Sequence, residues 1–328
     1  MNKYYAFVLA ILLATFKGFS QEKTEEFKPS GKPFMKIHTN YHSTFSDGET
    51  SKAFELTRFY LGYEYTFSKS LSAKANIDVG DPGAGKHQMA AFVKNAYLKY
   101  KENNLTVNFG LIATTQFKVQ EDFWGLRYVA KVFQDEYKFA SSADLGVSAS
   151  YKFADWINAD FSVFNGEGYK NLESDNIFKN AVGVTILPVD GLTIRGFYDW
   201  MGKDIYQQSM VGFVGYTTKK FSLAAEYNYQ KNQNMTEGRD WYGPSFYASC
   251  TPSKKLKIYA RYDDLSSSKE TSASKPWNLS KDGQLLMIGI DYAAVKGMNF
   301  SPNFQGWNPA NDSLPYKASI YLNCEIKF

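Results

Sequence analysis

Residues Ala318 to Phe328 read A-S-I-Y-L-N-C-E-I-K-F. Ala318, Ile320, Leu322, Cys324, Ile326 and Phe328 fall on one face, and Ser319, Tyr321, Asn323, Glu325 and Lys327 on the other. A strand turns its side chains with period 2, so such a ribbon can present one face to hydrocarbon and the other to water.

The same alternation recurs upstream. Leu71, Ala73, Ala75, Ile77 and Val79 oppose Ser72, Lys74, Asn76 and Asp78. Phe59, Leu61, Tyr63, Tyr65 and Phe67 oppose Arg58, Tyr60, Gly62, Glu64 and Thr66. Continuing this reading from Phe34 to the end predicts about sixteen strands. Connections after even-numbered strands are a few residues, such as Ser68-Lys69-Ser70. Most of those after odd-numbered strands are longer and polar. The faces of the tenth strand are ambiguous, and Pro302 and Pro244 fall within strands, where proline removes a ladder donor. The expectation is an all-β, transmembrane, antiparallel β-barrel with short periplasmic turns and long outer loops. A soluble sandwich of so many half-apolar strands would need a core too large for one domain.

Composition agrees. The chain has 328 residues, 44% hydrophobic and 17% aromatic, yet a mean hydropathy of −0.40. The one long apolar run, Ala6 to Phe16, is shorter than the roughly 20 residues of a spanning helix. Residues 1–20 read as a signal peptide, 21–32 as a periplasmic lead-in and 33–328 as the barrel. The net charge of +4 does not suggest nucleic-acid binding. Cys250 and Cys324 lie on apolar faces of separate strands and read as free thiols.

On a barrel, the polar faces line a lumen. Candidate pore-lining cations are Arg58, Lys74, Arg195, Lys257 and Arg261, with Lys118, Arg127 and Lys131 on the third outer loop. Glu64, Asp78 and Asp160 oppose them from the wall, and Glu121 and Asp122 from the loop. That loop, residues 114–143, carries Phe117, Phe123, Trp124, Tyr128 and Phe133, too apolar for solvent. It is expected to fold inward as a constriction. Gly80 to His87, G-D-P-G-A-G-K-H, nearly matches a phosphate-binding loop but lacks the hydroxyl and the following helix, and reads as an outer turn. His38 and His42, four apart on a strand, lie roughly 13 Å apart and cannot share a metal ion. No spacing singles out a nucleophile, and nothing calls for a cofactor.

Several stretches carry a family resemblance. They are R-F-Y-L-G-Y-E-Y-T-F from Arg58 to Phe67, then L-S-A-K-A-N-I-D, V-K-N-A-Y-L-K-Y-K from Val93 to Lys101, L-T-V-N-F-G, and F-N-G-E-G-Y from Phe164 to Tyr169. The chain resembles bacterial outer-membrane porins, in particular the phosphate-selective porin O and P family and its Bacteroidota relatives. The resemblance implies a channel in the outer membrane of a Gram-negative cell, with no enzymatic activity, for passive diffusion of small hydrophilic solutes or of anions such as phosphate. It also implies contact with lipid and lipopolysaccharide, a homotrimer, and recognition of terminal Phe328 by the β-barrel assembly machinery. The rival readings are an outer-membrane hydrolase and a specific substrate-binding barrel.

Overall fold

The computed structural model describes residues 27–80, 89–270 and 273–328. The signal-like segment, residues 21–26 of the lead-in and the glycine-rich stretch after Gly80 lie outside the described residues. Sixteen strands close into a single antiparallel barrel. They are β1 (Ser30–Ser46), β2 (Glu49–Thr66), β3 (Leu71–Gly80), β4 (Ala90–Glu102), β5 (Leu105–Ala113), β6 (Ala143–Ala154), β7 (Ile157–Phe164) and β8 (Lys179–Ile186). The second half is β9 (Leu192–Gly202), β10 (Tyr206–Thr217), β11 (Phe221–Lys231), β12 (Trp241–Ser253), β13 (Leu256–Ser267), β14 (Gly283–Val295), β15 (Met298–Pro309) and β16 (Lys317–Lys327). Each strand pairs with its sequence neighbours, and β16 returns to β1 with Lys36 opposite Lys327 and Ser46 opposite Lys317. Beyond that ladder Phe328 and Met35 exchange both backbone hydrogen bonds, at 3.3 and 3.2 Å.

Seven turns of two to five residues lie at the end that holds both termini. The connections at the far end are mostly longer, with two exceptions. β1 and β2 run on as a tall hairpin closed by Asp47-Gly48, both at positive φ (51° and 77°), as a type I′ turn demands. Residues 203–205 similarly close β9 onto β10. The first of the odd-numbered connections, most of which read as long and polar, is thus a ribbon, because the Asp-Gly turn signal prevails over the polarity of its flanks.

Register shifts near the turns occur in the β6–β7, β12–β13 and β14–β15 ladders, and two further bulges alter the alternation along the wall. The β1–β2 register shifts at His38/Thr39, and the β3–β4 register at Asn76/Ile77, where Lys94 is the extra residue. Pro302 pairs with Leu322 of β16, but the β14–β15 ladder passes from Gly289–Asn303 to Tyr292–Phe300 without it. The missing donor therefore sits at a gap in one ladder only.

The outer surface is apolar between two aromatic rings. Tyr65 and Phe67, Tyr151 and Phe153, and Tyr216 and Phe221 pair near the terminal end. Tyr41 and Phe54, Tyr198 and Trp200, and Tyr229 and Tyr242 pair near the far end. Leu61, Ile77, Phe161, Val214, Ile288 and Ile320 lie exposed on the outside between these levels. Such a band between aromatic girdles matches a hydrocarbon layer. Cys250 and Cys324 are both free.

Ile320→Arg, on the apolar face towards the far-end ring, should lower barrel stability in lipid by up to about 2 kcal/mol, read as a shift of the urea unfolding midpoint. Ser319→Arg, one residue away on the inner face, should cost far less; equal losses would mean that the faces are misassigned.

Candidate functional site

The connection between β5 and β6, residues 114–142, packs against the inner wall of one half of the barrel. It contains two short helices, α1 (Lys118–Trp124) and α2 (Phe133–Glu136). Gly125 closes α1 in the left-handed region, donating its N–H to Glu121 O. Trp124 sits between Tyr247 and Tyr259, with ring centroids at 5.5 and 5.6 Å, and Phe123 meets Phe213 at 5.4 Å. Phe133 and Phe139 pack beside Trp241 and Leu265. The inward apolar residues Val211 and Phe213 explain the ambiguous faces of β10: both of its faces meet apolar matter there.

The backbone of this connection is capped by the wall. Arg195 Nη2 donates to Thr115 O at 2.9 Å, Gln230 Nε2 to Phe139 O at 2.8 Å and Asn323 Nδ2 to Tyr128 O at 3.2 Å. Arg261 donates to Lys131 O. Tyr128 and Tyr137 reach back to Asp291 at 2.5 Å and Asp263 at 3.2 Å. An irregular segment under protein must find partners for its carbonyls, and these side chains supply them.

Two predicted pore cations belong to this packed half. Arg195 is buried in a bidentate pair with Asp160, at 2.7 and 3.1 Å. It lies across Gly183, where an added Cβ would stand 2.4 Å from its Nη2. Arg261 is buried on Asp263, with bonds of 2.8 and 2.7 Å, beneath the Trp124 ring. Both point inward, but the connection covers them. Lys257 lies lower on β13, opposite Asp291 in register.

The other predicted residues gather on the uncovered wall formed by β16 and β1 to β4. Arg58 pairs with buried Asp78, and Lys74 with Glu64 at 2.9 Å. Arg127 faces them from the loop, clamping Glu121 of α1 at 3.1 Å and Asp135 of α2 at 2.8 Å. Lys118 pairs with Asp122 on the exposed side of α1. Lys131 makes no ion pair among the described residues.

Sequence alternation misses Lys94. It is buried and faces the lumen, hydrogen-bonded to Ser142 and 3.6 Å from the centre of the Tyr169 ring. It also misses Glu55, which holds Asn40 at 3.1 Å, and Lys179, which pairs with Asp199 at 2.9 Å. His38 is buried with Nε2 3.3 Å from Glu325, and His42 Nδ1 lies 3.1 Å from Asn40 Oδ1, so each is taken up by its own wall neighbour.

On the uncovered wall inward cations, among them Lys36, Arg58, Lys74, Lys94, Lys99 and Lys327, outnumber inward carboxylates, among them Glu55, Glu64, Asp78 and Glu325. A cavity of about 1060 Å³ opens beside it, and a second, of about 550 Å³, lies against the long connection and the β7–β8 loop and reaches this wall at Arg58. Among the described residues three line both: Arg58, Lys131 and Lys170. The border that the two cavities share is therefore lined by cations from the wall and from two different loops.

No protein-family model and no curated protein match the sequence. Solved structures match its shape. The outer-membrane channel DcaP of Acinetobacter baumannii superposes with a TM-score of 0.67 at 12% identity, covering 92% of this chain and 97% of that one. OprB of Pseudomonas putida gives 0.71 at 11%, covering 91% and 94%. An anion-selective porin from Comamonas acidovorans gives 0.66 at 12%, covering 92% and 100%. The chain therefore has the fold of these outer-membrane barrels.

Arg261→Ala should destabilise the barrel by about 3–5 kcal/mol, because Asp263 is left buried without a counter-charge. Removing both charges together (R261A/D263A) should recover part of that loss. Urea unfolding with intrinsic tryptophan fluorescence measures both, and a fully additive double variant would contradict the coupling.

Proposed function

We propose that the protein is an outer-membrane channel for passive diffusion of small hydrophilic solutes, with a preference for anions. The observation that carries this reading is the cationic border of Arg58, Lys131 and Lys170 shared by the two large cavities of the interior. A closed barrel with an apolar exterior and a charged interior supports the setting. The balance of charge along the whole inner face is misleading. The Arg195, Arg261 and Lys179 pairs neutralise themselves beneath the loop, leaving the cationic excess on the uncovered wall. A lumen with excess charge near its narrow part selects ions of opposite sign.

In this reading residues 114–143 form the constriction, residues 1–20 are removed on export, and the far loops face the outside of a Gram-negative cell. Phe328, at the seam with Met35, is the signal read by the assembly machinery. Lipid and lipopolysaccharide surround the barrel, and three copies assemble as a trimer. Phosphate is one candidate solute.

Reversal potentials in planar bilayers under a potassium chloride gradient test the proposal. The wild type should favour chloride, and Lys131→Glu and Lys74→Glu should each move the potential towards potassium. Replacing chloride by phosphate in the same cell reads relative phosphate permeability. A folded barrel without conductance steps would overturn the channel reading.

The pH dependence follows from Glu121, on the loop helix outside the spanning strands. Burial pushes its carboxyl up, against the opposing pull of Arg127. A raised carboxyl takes its proton at higher pH than an exposed glutamate, so mild acidification removes a negative charge and leaves Arg127 less compensated. Chloride preference should rise as pH falls, and Glu121→Gln should flatten the profile.

A further inference from the structure

The F-N-G-E-G-Y turn of the connection between β7 and β8 places one aromatic ring against the cations of the open wall. Asp144 builds this turn. Its Oδ2 accepts the Gly166 N–H at 2.9 Å, and it also accepts from the Gly168 N–H. Gly166 and Gly168 both have positive φ (108° and 80°), and the Tyr169 N–H donates to Ala143 O at 3.0 Å. The side chain of Tyr169 is thereby delivered to the 550 Å³ cavity.

There it serves two cations at once. Its ring face lies 3.6 Å from Lys94 Nζ, and its hydroxyl interacts with Arg58, which lines the same cavity. Phe92 packs beside it at 5.8 Å. Lys94 has Ser142 as its other partner and no carboxylate among the described ion pairs. A desolvated ammonium over an aromatic face gains about 2 kcal/mol, so the contact holds Lys94 against the ring rather than towards passing solute.

We propose that Tyr169 is a specificity-determining residue of the channel. Its ring and hydroxyl occupy the place from which a solute anion would touch Lys94 and Arg58 together, and so set how much of their charge a solute meets. The proposal rests on the channel reading above. It assigns the control of selectivity to the fourth far-side loop as well as to the long third one.

The experiment compares chloride-to-potassium permeability ratios in planar bilayers for the wild type, Tyr169→Ala, Tyr169→Leu, Tyr169→Phe and the double variant Y169A/K94M. Freeing one ammonium into the aqueous lumen should raise the ratio about two- to fourfold in Y169A. Y169L keeps bulk but loses the ring face and the hydroxyl, and should follow Y169A. Y169F keeps the face and should stay nearer the wild type. The gain should largely vanish in Y169A/K94M. An equal gain in Y169A and Y169A/K94M, or a wild-type ratio in Y169L, would overturn the proposal in favour of simple steric widening. Unheated gel mobility verifies folding of each variant. A conducting wild type with an unchanged Y169A ratio defeats the Tyr169 assignment alone, whereas a folded wild type that passes no current defeats the channel reading.

Discussion

Closure of the backbone ladder is the constraint on which everything else depends. In hydrocarbon an unpaired N–H or C=O has no water to turn to, so a spanning sheet cannot keep an edge. Here the last strand meets the first along its whole length, and the terminal Phe328 adds a final pair to Met35. Once the ladder is closed, the pleat assigns every side chain to one of two solvents. The outside becomes the apolar, aromatic-ringed band, and the inside collects the charges.

Closure also creates a difficulty. A ring of sixteen strands is wider than wall side chains alone can fill. The β5–β6 connection occupies about half of the interior, bringing Trp124, Phe117 and Val132 as core and recruiting Arg195, Arg261, Gln230 and Asn323 to satisfy its own backbone. The interior therefore divides into a packed half with self-neutralised ion pairs and an uncovered half where cations outnumber carboxylates. Charge counted from the sequence is nearly even; charge counted by exposure to the lumen is not.

The fold was legible because alternation is a local property. Ile77 against Asn76, or Leu322 against Asn323, declares its face without reference to the rest of the chain. The aromatic content of residues 114–143 likewise signalled burial. What alternation cannot carry is a change of parity. Lys94 and Lys99 are five apart, so strict period 2 assigns them to opposite faces; the bulge at Lys94 turns both inward. Glu55, three residues from the correctly oriented Arg58 but across the β2 bulge, is hidden in the same way. Arg195 and Arg261 fail for another reason. Their direction was readable, but the chain that covers them comes from residues more than fifty positions away. The tall first hairpin was missed although its Asp47-Gly48 signal was present, since polar strand ends resemble loop.

The eccentric position of the uncovered lumen has an electrical consequence. In the proposed channel an ion would travel along β16 and β1–β4, within one side-chain length of the lipid on their other face. A charge in water beside a thin low-permittivity sheet is repelled by its own image, whatever its sign. Lys36, Arg58, Lys74 and Lys94 offset that repulsion for one sign and add to it for the other. The wall that brings solutes nearest to oil would thus act as a rectifier of charge type, through self-energy as much as through attraction.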